Sequence, residues 1–418
     1  MELTIENAVR VCLRQNPGLC SIKQRIYAQR ERLLATSADK WAKLETGYRY
    51  TWLEQSPYMK FRDFPMFHAL PFGKDRDISW YVQFVQPVFT GFALSTREVM
   101  EKLGVDLKKV EYELGTIELR YQVKTAYLMA LTARGEMEVA KKKVKALKSH
   151  LKDARAMFKQ GLIAKNDLLR SEVAFKEALQ HLQKAMGGFS TRKTYLKMLL
   201  NLKIDTVIIL KDVSGPDVTF DKPFSELVTI AMENRPEIRA LNLSMKLALL
   251  HERLAKSNYL PTINLLGRYE QNGDDLLANR NDFRNSHNAI LAIEARWKFF
   301  EWGKTGHEVM EATFKVKELE KQLEDLKNNI SFQIKEALYS MDVARKNIAT
   351  ALTALKQAQE DFRLTKLQYK ELLASTTDVL DSEQYLTQAR HNLINARYGY
   401  LLAMSKLERA MGRDLYEY

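Results

Sequence analysis

The sequence predicts a mostly α fold with a small membrane-type β part: long antiparallel helical coiled-coil hairpins plus four strands per chain. Three observations predict it. The chain nearly repeats itself, its prolines leave two long stretches untouched, and period-two alternation of apolar and polar residues is confined to four short segments.

The repeat is read by offset. Ile5, Val9, Val11, Pro17, Arg49 and Tyr50 recur 219 residues later as Phe224, Val228, Ile230, Pro236, Arg268 and Tyr269. Phe89, Ala126, Lys159, Asp167, Leu169, Ser171 and Glu172 recur at an offset of 211 as Phe300, Ala337, Lys370, Asp378, Leu380, Ser382 and Glu383. The change of offset falls in loops, where insertions are tolerated. Residues 1–202 therefore form a first structural repeat and 224–418 a second. Residues 203–223, with Val207, Ile208 and Ile209, form an inter-repeat linker that is expected to add a small strand.

Each repeat opens on a short helical pair broken at a proline. Thr4 and Ser225 are the expected N-caps, and Pro17 and Pro236 suit the first turn of the next helix. Those next helices carry Ile22, Ile26, Leu33 and Leu34, then Ile238, Leu241, Met245 and Leu249, at the spacing of one buried face. The period then changes to two, predicting strands at about 44–53 and 79–89, and at about 262–271 and 289–299. Leu44, Tyr48, Tyr50 and Trp52 share one face, as do Trp80, Val82, Phe84 and Val88 (Gln86 interrupts), and Leu291, Ile293, Ala295, Trp297 and Phe299. Polar loops close the hairpins at about 57–78 and 273–287. Strands of this length and alternation suit an outer-membrane barrel or a soluble sandwich. Two hairpins set among long helices have no partner sheet to cover their apolar faces, which favours the barrel, and since four strands cannot close one, closure needs several chains.

Short turns at Thr90–Phe92 and Glu301–Gly303 lead into helices predicted from Ala93 to near Gln160 and over 304–370. An interior proline costs a helix about 3 kcal/mol; none of the nine lies between 88 and 215 or after 261. At 1.5 Å per residue such a helix reaches roughly 100 Å. Each turns at Gly161–Asn166 or Leu372–Thr377 into a return helix ending near 200 or 411, and long antiparallel pairs of this kind pack as coiled coils.

Net charge is +13, from 65 basic and 52 acidic residues. Lys and Arg alternate with Glu and Asp along helices, as in Lys141–Lys152, which describes solvated faces rather than a nucleic-acid module. No apolar run is long enough for a transmembrane helix. Met1–Thr4 leads directly into the first helix, so no signal peptide is expected within this sequence. Cys12 and Cys20 match no metal or redox spacing and read as small buried hydrophobes, with a disulfide as the alternative. His307 and Glu308 begin no HExxH, and phosphate-binding and nucleophile motifs are absent, so no catalytic residue, metal site or cofactor is expected.

The run Gln86, Pro87, Val88, Phe89, Thr90, Gly91 resembles the strand-to-helix junction of TolC-type outer-membrane efflux proteins. Gly161, Leu162, Ile163, Ala164, Lys165, Asn166, Asp167 resembles that family's first hairpin tip, and Thr377, Asp378, Val379, Leu380, Asp381 its second. The likeness covers essentially the whole chain. It implies a homotrimer whose strands form a 12-stranded barrel in the outer membrane of a Gram-negative bacterium, in contact with outer-membrane lipid. An α-helical periplasmic tunnel would continue the barrel, holding most of the chain, with the linker in its equatorial region. The implied function is the exit duct of a tripartite efflux pump or type I secretion system. Its partners would be a periplasmic adaptor (membrane fusion) protein and an inner-membrane transporter; it would not be an enzyme. A soluble periplasmic or cytosolic coiled-coil scaffold or adaptor is the alternative.

The resemblance also assigns sites. Asp378 and Asp381, which on spacing alone read as helix-dipole partners behind a cap at Thr376 or Thr377, match the acidic ring of the periplasmic entrance. Asp167 and Tyr369 match the hairpin latch, whose arginine is replaced here by Ala374. Gly161, Leu162, Ile163 and Ala164 match the adaptor-docking tip, an apolar tip on an otherwise charged hairpin.

Overall fold

The computed structural model describes residues 2–59, 70–213, 222–282 and 284–413. In chain order the elements are β1 (Glu2–Leu3), α1 (Ile5–Gln15), α2 (Pro17–Ala38), β2 (Lys43–Trp52), β3 (Tyr58–Met59), β4 (Leu70–Pro71), β5 (Arg76–Thr90), α3 (Ala93–Lys159) and α4 (Lys165–Leu199). After them come β6 (Ile209–Leu210), α5 (Phe224–Asn234), α6 (Pro236–Ser257), β7 (Thr262–Gly273), β8 (His287–Arg296), α7 (Lys304–Lys370) and α8 (Thr376–Met411). Two helix pairs match residue for residue at the sequence offsets: α2 and α6 both span 22 residues, and α3 and α7 both span 67.

The chain divides into two compact units, each drawn from both halves of the sequence. One holds residues 1–24, 109–240 and 323–418; the other holds 25–108 and 241–322. Compact units and sequence repeats are thus different partitions of the chain.

The first unit has one hydrophobic core. Leu119, Val123, Ala126 and Ala130 of α3 are buried at 4-3-4 spacing, and so are Ile330, Ile334, Ala337 and Met341 of α7, the same positions 211 residues on. That spacing puts one seam of each long helix against its neighbours in coiled-coil fashion. Leu196 and Leu199 of α4 with its C-cap Leu200, and their counterparts Leu407, Ala410 and Met411 of α8, complete the packing. The linker contributes β6, which pairs in parallel with β1; its residues 214–221 lie outside the described residues. Buried Tyr127 fixes this small sheet, its hydroxyl 2.7 Å from the carbonyl oxygens of both Leu3 and Lys211, and burial pushes that phenol up to about 12.

The second unit carries an antiparallel sheet in the order β2-β5-β7-β8. Its register aligns Leu44 with Phe84, Tyr48 with Trp80 and Tyr50 with Ile78, and then Val82 with Tyr269, Leu265 with Ile293 and Gly267 with Leu291. Since side chains alternate between faces, these residues form one apolar face across all four strands. On the opposite face Glu45 accepts hydrogen bonds from Tyr81 Oη and Gln83 Nε2, both at 3.0 Å, and the Arg268 guanidinium lies 4.2 Å above the Tyr81 ring. Gly47 makes room for that ring, since a Cβ there would stand 2.7 Å from it. Pro87 cannot donate to the ladder, and the strand accommodates it at a bulge between Pro87 and Phe89.

Several local expectations need correction. Strand β8 ends at Arg296, so Trp297 and Phe299 lie beyond it. Helix α5 starts at Phe224 with Pro223 as its N-cap rather than Ser225, because Pro223 occupies the position equivalent to Thr4. Leu34 and Leu249 are exposed instead of buried, and so is Cys20, while Cys12 is buried and donates its Sγ–H to Leu199 O at 3.0 Å. The first hairpin loop holds β3 and β4, and its residues 60–69 lie outside the described residues.

Candidate functional site

All the site residues named from the sequence fall at the two tips of the helical hairpins, within the first compact unit. The tips differ in how their backbones are stopped and restarted. Gly161 ends α3 in the left-handed conformation (φ 74°), with Leu162 N bonded to Met157 O, a helix stop that favours glycine. The equivalent residue after α7 is Leu372, also left-handed (φ 64°), where a Cβ is disfavoured.

The restart differs more. Ala164 precedes α4 without any side-chain cap. Its counterpart Ser375 builds a full capping box: Ser375 Oγ accepts from Asp378 N at 3.2 Å, and Asp378 Oδ2 accepts from Ser375 N and Oγ, both at 2.7 Å. The cap is therefore Ser375, neither Thr376 nor Thr377. These hydrogen bonds hold the Asp378 carboxyl below the usual carboxylate range. Asp378 and Asp381 are both exposed, one helical turn apart on α8, and only Asp378 is engaged by the cap.

Tyr369 is buried, and its hydroxyl accepts a hydrogen bond from Thr376 Oγ1 at 3.4 Å. Asp167 makes no hydrogen bond to it among the described residues; its charge adds to the burial that raises the Tyr369 pKa. The structure thus brings Asp167 and Tyr369 into one neighbourhood without joining them. A basic residue does connect the two hairpins, but from α4: Arg170 Nη1 donates to Thr377 Oγ1 at 3.0 Å.

Of the apolar tip, Gly161, Leu162 and Ala164 are exposed and Ile163 is half-buried. The second tip presents Leu372 and Leu373, the latter 78% exposed.

Two buried groups escaped the sequence reading. His150 on α3 is 4% exposed, its ring centroid 4.8 Å from that of Tyr369 and its Nε2 3.2 Å from Ser171 Oγ. Its position in the stripe Leu147, His150, Leu151, Ala154 was the available signal. Glu383 on α8 is 1% exposed and accepts from Thr387 Oγ1 at 2.8 Å, with Lys143 Nζ 3.7 Å from its other oxygen; burial raises its pKa. Among the described residues no group of His, Cys, Asp and Glu side chains is arranged to hold a metal, and no helix is long and apolar enough to cross a membrane.

Residues 227–413 match the family described as outer membrane efflux protein. The match spans a little under half of the chain, from within α5 to just past α8. Among characterised proteins, the chain is 21% identical over 298 residues to outer membrane protein TolC of Vibrio cholerae, an alignment that covers 70% of this chain and 67% of that protein. It is 21% identical over 352 residues to the alkaline protease secretion protein AprF of Pseudomonas aeruginosa, covering 80% and 70%. Its fold is that of the Campylobacter jejuni CmeC outer membrane channel, with a TM-score of 0.80 and 15% identity over 99% of this chain and 87% of that one.

Proposed function

We propose that the protein is an outer-membrane exit duct, conducting substrate from a periplasmic adaptor and an inner-membrane transporter to the exterior, as part of a tripartite efflux pump or a type I secretion system. The observation that carries this reading is the sheet. Its apolar face includes Leu44, Leu291 and Ile293, each at least 74% exposed, and its outermost strands, β2 and β8, are each ten residues long and, among the described residues, paired on one side only. Unpaired edges and an uncovered apolar face are both unfavourable in water. Three chains joined edge to edge remove both at once, closing a 12-stranded barrel with the apolar face toward lipid and the Glu45–Tyr81–Arg268 face toward the lumen.

On this reading the helical hairpins lie in the periplasm. Their tips form the entrance: Asp378 and Asp381 supply its acidic ring, Asp167 and Tyr369 belong to the latch, and Gly161–Ala164 receives the adaptor. The duct acts by conduction, without chemistry on its substrate. The test is fractionation of cells followed by electrophoresis of heated and unheated samples. A heat-modifiable trimer in the outer membrane that forms channels in planar bilayers is expected; a soluble monomer overturns the reading.

A further inference from the structure

Histidine 150 is a buried titratable side chain that conduction does not require, placed where the two hairpins of one chain meet. Ser171 Oγ donates to Asp167 O at 2.9 Å, so toward His150 it acts as acceptor, and the imidazole carries its proton on Nε2. Nδ1 is then the atom left for a second proton. The ring lies against Tyr369 of the other hairpin, and the Tyr369 hydroxyl is in turn bonded to Thr376 at the start of α8. His150 thus connects three helices besides its own: α4 through Ser171, α7 through Tyr369, and α8 through Tyr369 and Thr376.

The charged and titratable groups around it are few. Asp153 stands on its own helix, Asp167 on α4, and Lys366 and Tyr369 on α7; Lys366 Nζ also donates to Ser149 Oγ at 3.3 Å. Asp153 favours the imidazolium and Lys366 opposes it, so the two charges partly cancel. What remains is burial of the ring, which penalises its charged form.

We propose that His150 is a proton-operated pin between the hairpins, neutral and packed on Tyr369 when the tips are together, and releasing the second hairpin when protonated. The inference rests on the channel reading, to which it adds acid as an opening signal.

Burial holds the His150 pKa at about 4 in the packed state, against an ordinary value of 6.5. A histidine whose pKa is lowered by packing stabilises the packed state above its free value, and this advantage is lost as the pH falls from there toward the lowered one. The ratio of released to packed hairpins should therefore rise about tenfold on going from neutral pH to 5.5.

The experiment uses the full-length trimer in detergent and in liposomes. Spin labels at Lys165→Cys and Glu371→Cys, in a Cys20→Ser background, report the distance between the two tips of each chain at pH 7.5 and 5.5, with and without His150→Gln. Conductance of the unlabelled proteins is recorded at the same pH values. The expected result is a longer tip-to-tip population at pH 5.5 that His150→Gln abolishes, with conductance following it. An acid-induced separation that persists in His150→Gln, or no separation in the unsubstituted chain, overturns the pin. Separation without conductance at any pH leaves the pin standing and refutes the channel reading instead. His150→Asn serves as a second variant should Gln impair folding.

Discussion

Arg170 on the first hairpin donates a 3.0 Å hydrogen bond to Thr377 on the second, spanning 207 positions of sequence with one exposed side-chain contact. Asp381 occupies the position equivalent to Arg170, so this link exists because the two copies have diverged there. Exposed polar contacts of this kind contribute less than about 1 kcal/mol. Arg170→Ala is therefore expected to leave the unfolding temperature nearly unchanged while raising open probability in single-channel recordings by up to severalfold. Unaltered gating would reduce the contact to decoration of a closed tip.

Asp378 and Asp381 should separate functionally. Asp378 is engaged by Ser375, so Asp378→Asn mainly weakens the start of α8, whereas Asp381→Asn removes a carboxylate that faces solvent. Block by multivalent cations should weaken more with Asp381→Asn than with Asp378→Asn, and most with both. Because capping lowers the Asp378 pKa, its stabilisation is complete above the ordinary carboxylate value and is lost as the pH falls through the lowered one. Ser375→Ala should cost about 1 kcal/mol, read as a lower urea midpoint for unfolding.

A stabilising substitution is expected at the second tip. Leu372 holds a left-handed backbone that costs a residue with a Cβ about 1–2 kcal/mol. Leu372→Gly relieves that cost, and the gain should exceed the added chain entropy, raising the urea midpoint. Gly161→Leu at the equivalent first tip should lower it. Equal and opposite shifts are not required, but shifts of the same sign would contradict the backbone argument.

In the sheet, a Cβ at Gly267 would collide with the Phe84 ring on the neighbouring strand, on the apolar face. Gly267→Ala should destabilise by about 1–3 kcal/mol through overpacking. The trimer band on unheated gels should then dissociate at a lower temperature. Phe84→Leu combined with Gly267→Ala should restore part of the loss, since it removes the obstructing ring.

Where long patterns decided, the sequence was readable. Proline placement and the short turns at Thr90–Phe92, Glu301–Gly303, Gly161–Asn166 and Leu372–Thr377 put the long helices within a residue or two of their ends, and alternation located the strands. Where a single side chain decided, it was not. Ser375 caps α8 because its hydroxyl and the Asp378 carboxylate reach each other, whereas the sequence pointed to the adjoining hydroxyls of Thr376 or Thr377. Pro223 rather than Ser225 precedes α5, and only the offset to Thr4 pointed there. His150 was overlooked because its partner Tyr369 is remote in sequence and belongs to the other repeat. The bulge at Pro87 shifts the end of β5 by a residue, which period-two counting cannot register.

The two 67-residue helices began as copies, and every difference in length accumulated by the two halves before them lies in the loops of the strand hairpins. One residue inserted in α3 would turn all that follows by about 100° and advance it by 1.5 Å. Leu119 through Ala130 would then face away from the seam that holds Ile330 through Met341. Mutation can therefore lengthen or trim this protein freely at one end of each hairpin of strands, while within the helices it is restricted to exchanging letters. A deletion scan across the gene should trace that boundary as tolerated edits in 53–75 and 274–286 and rejected ones throughout 93–159 and 304–370.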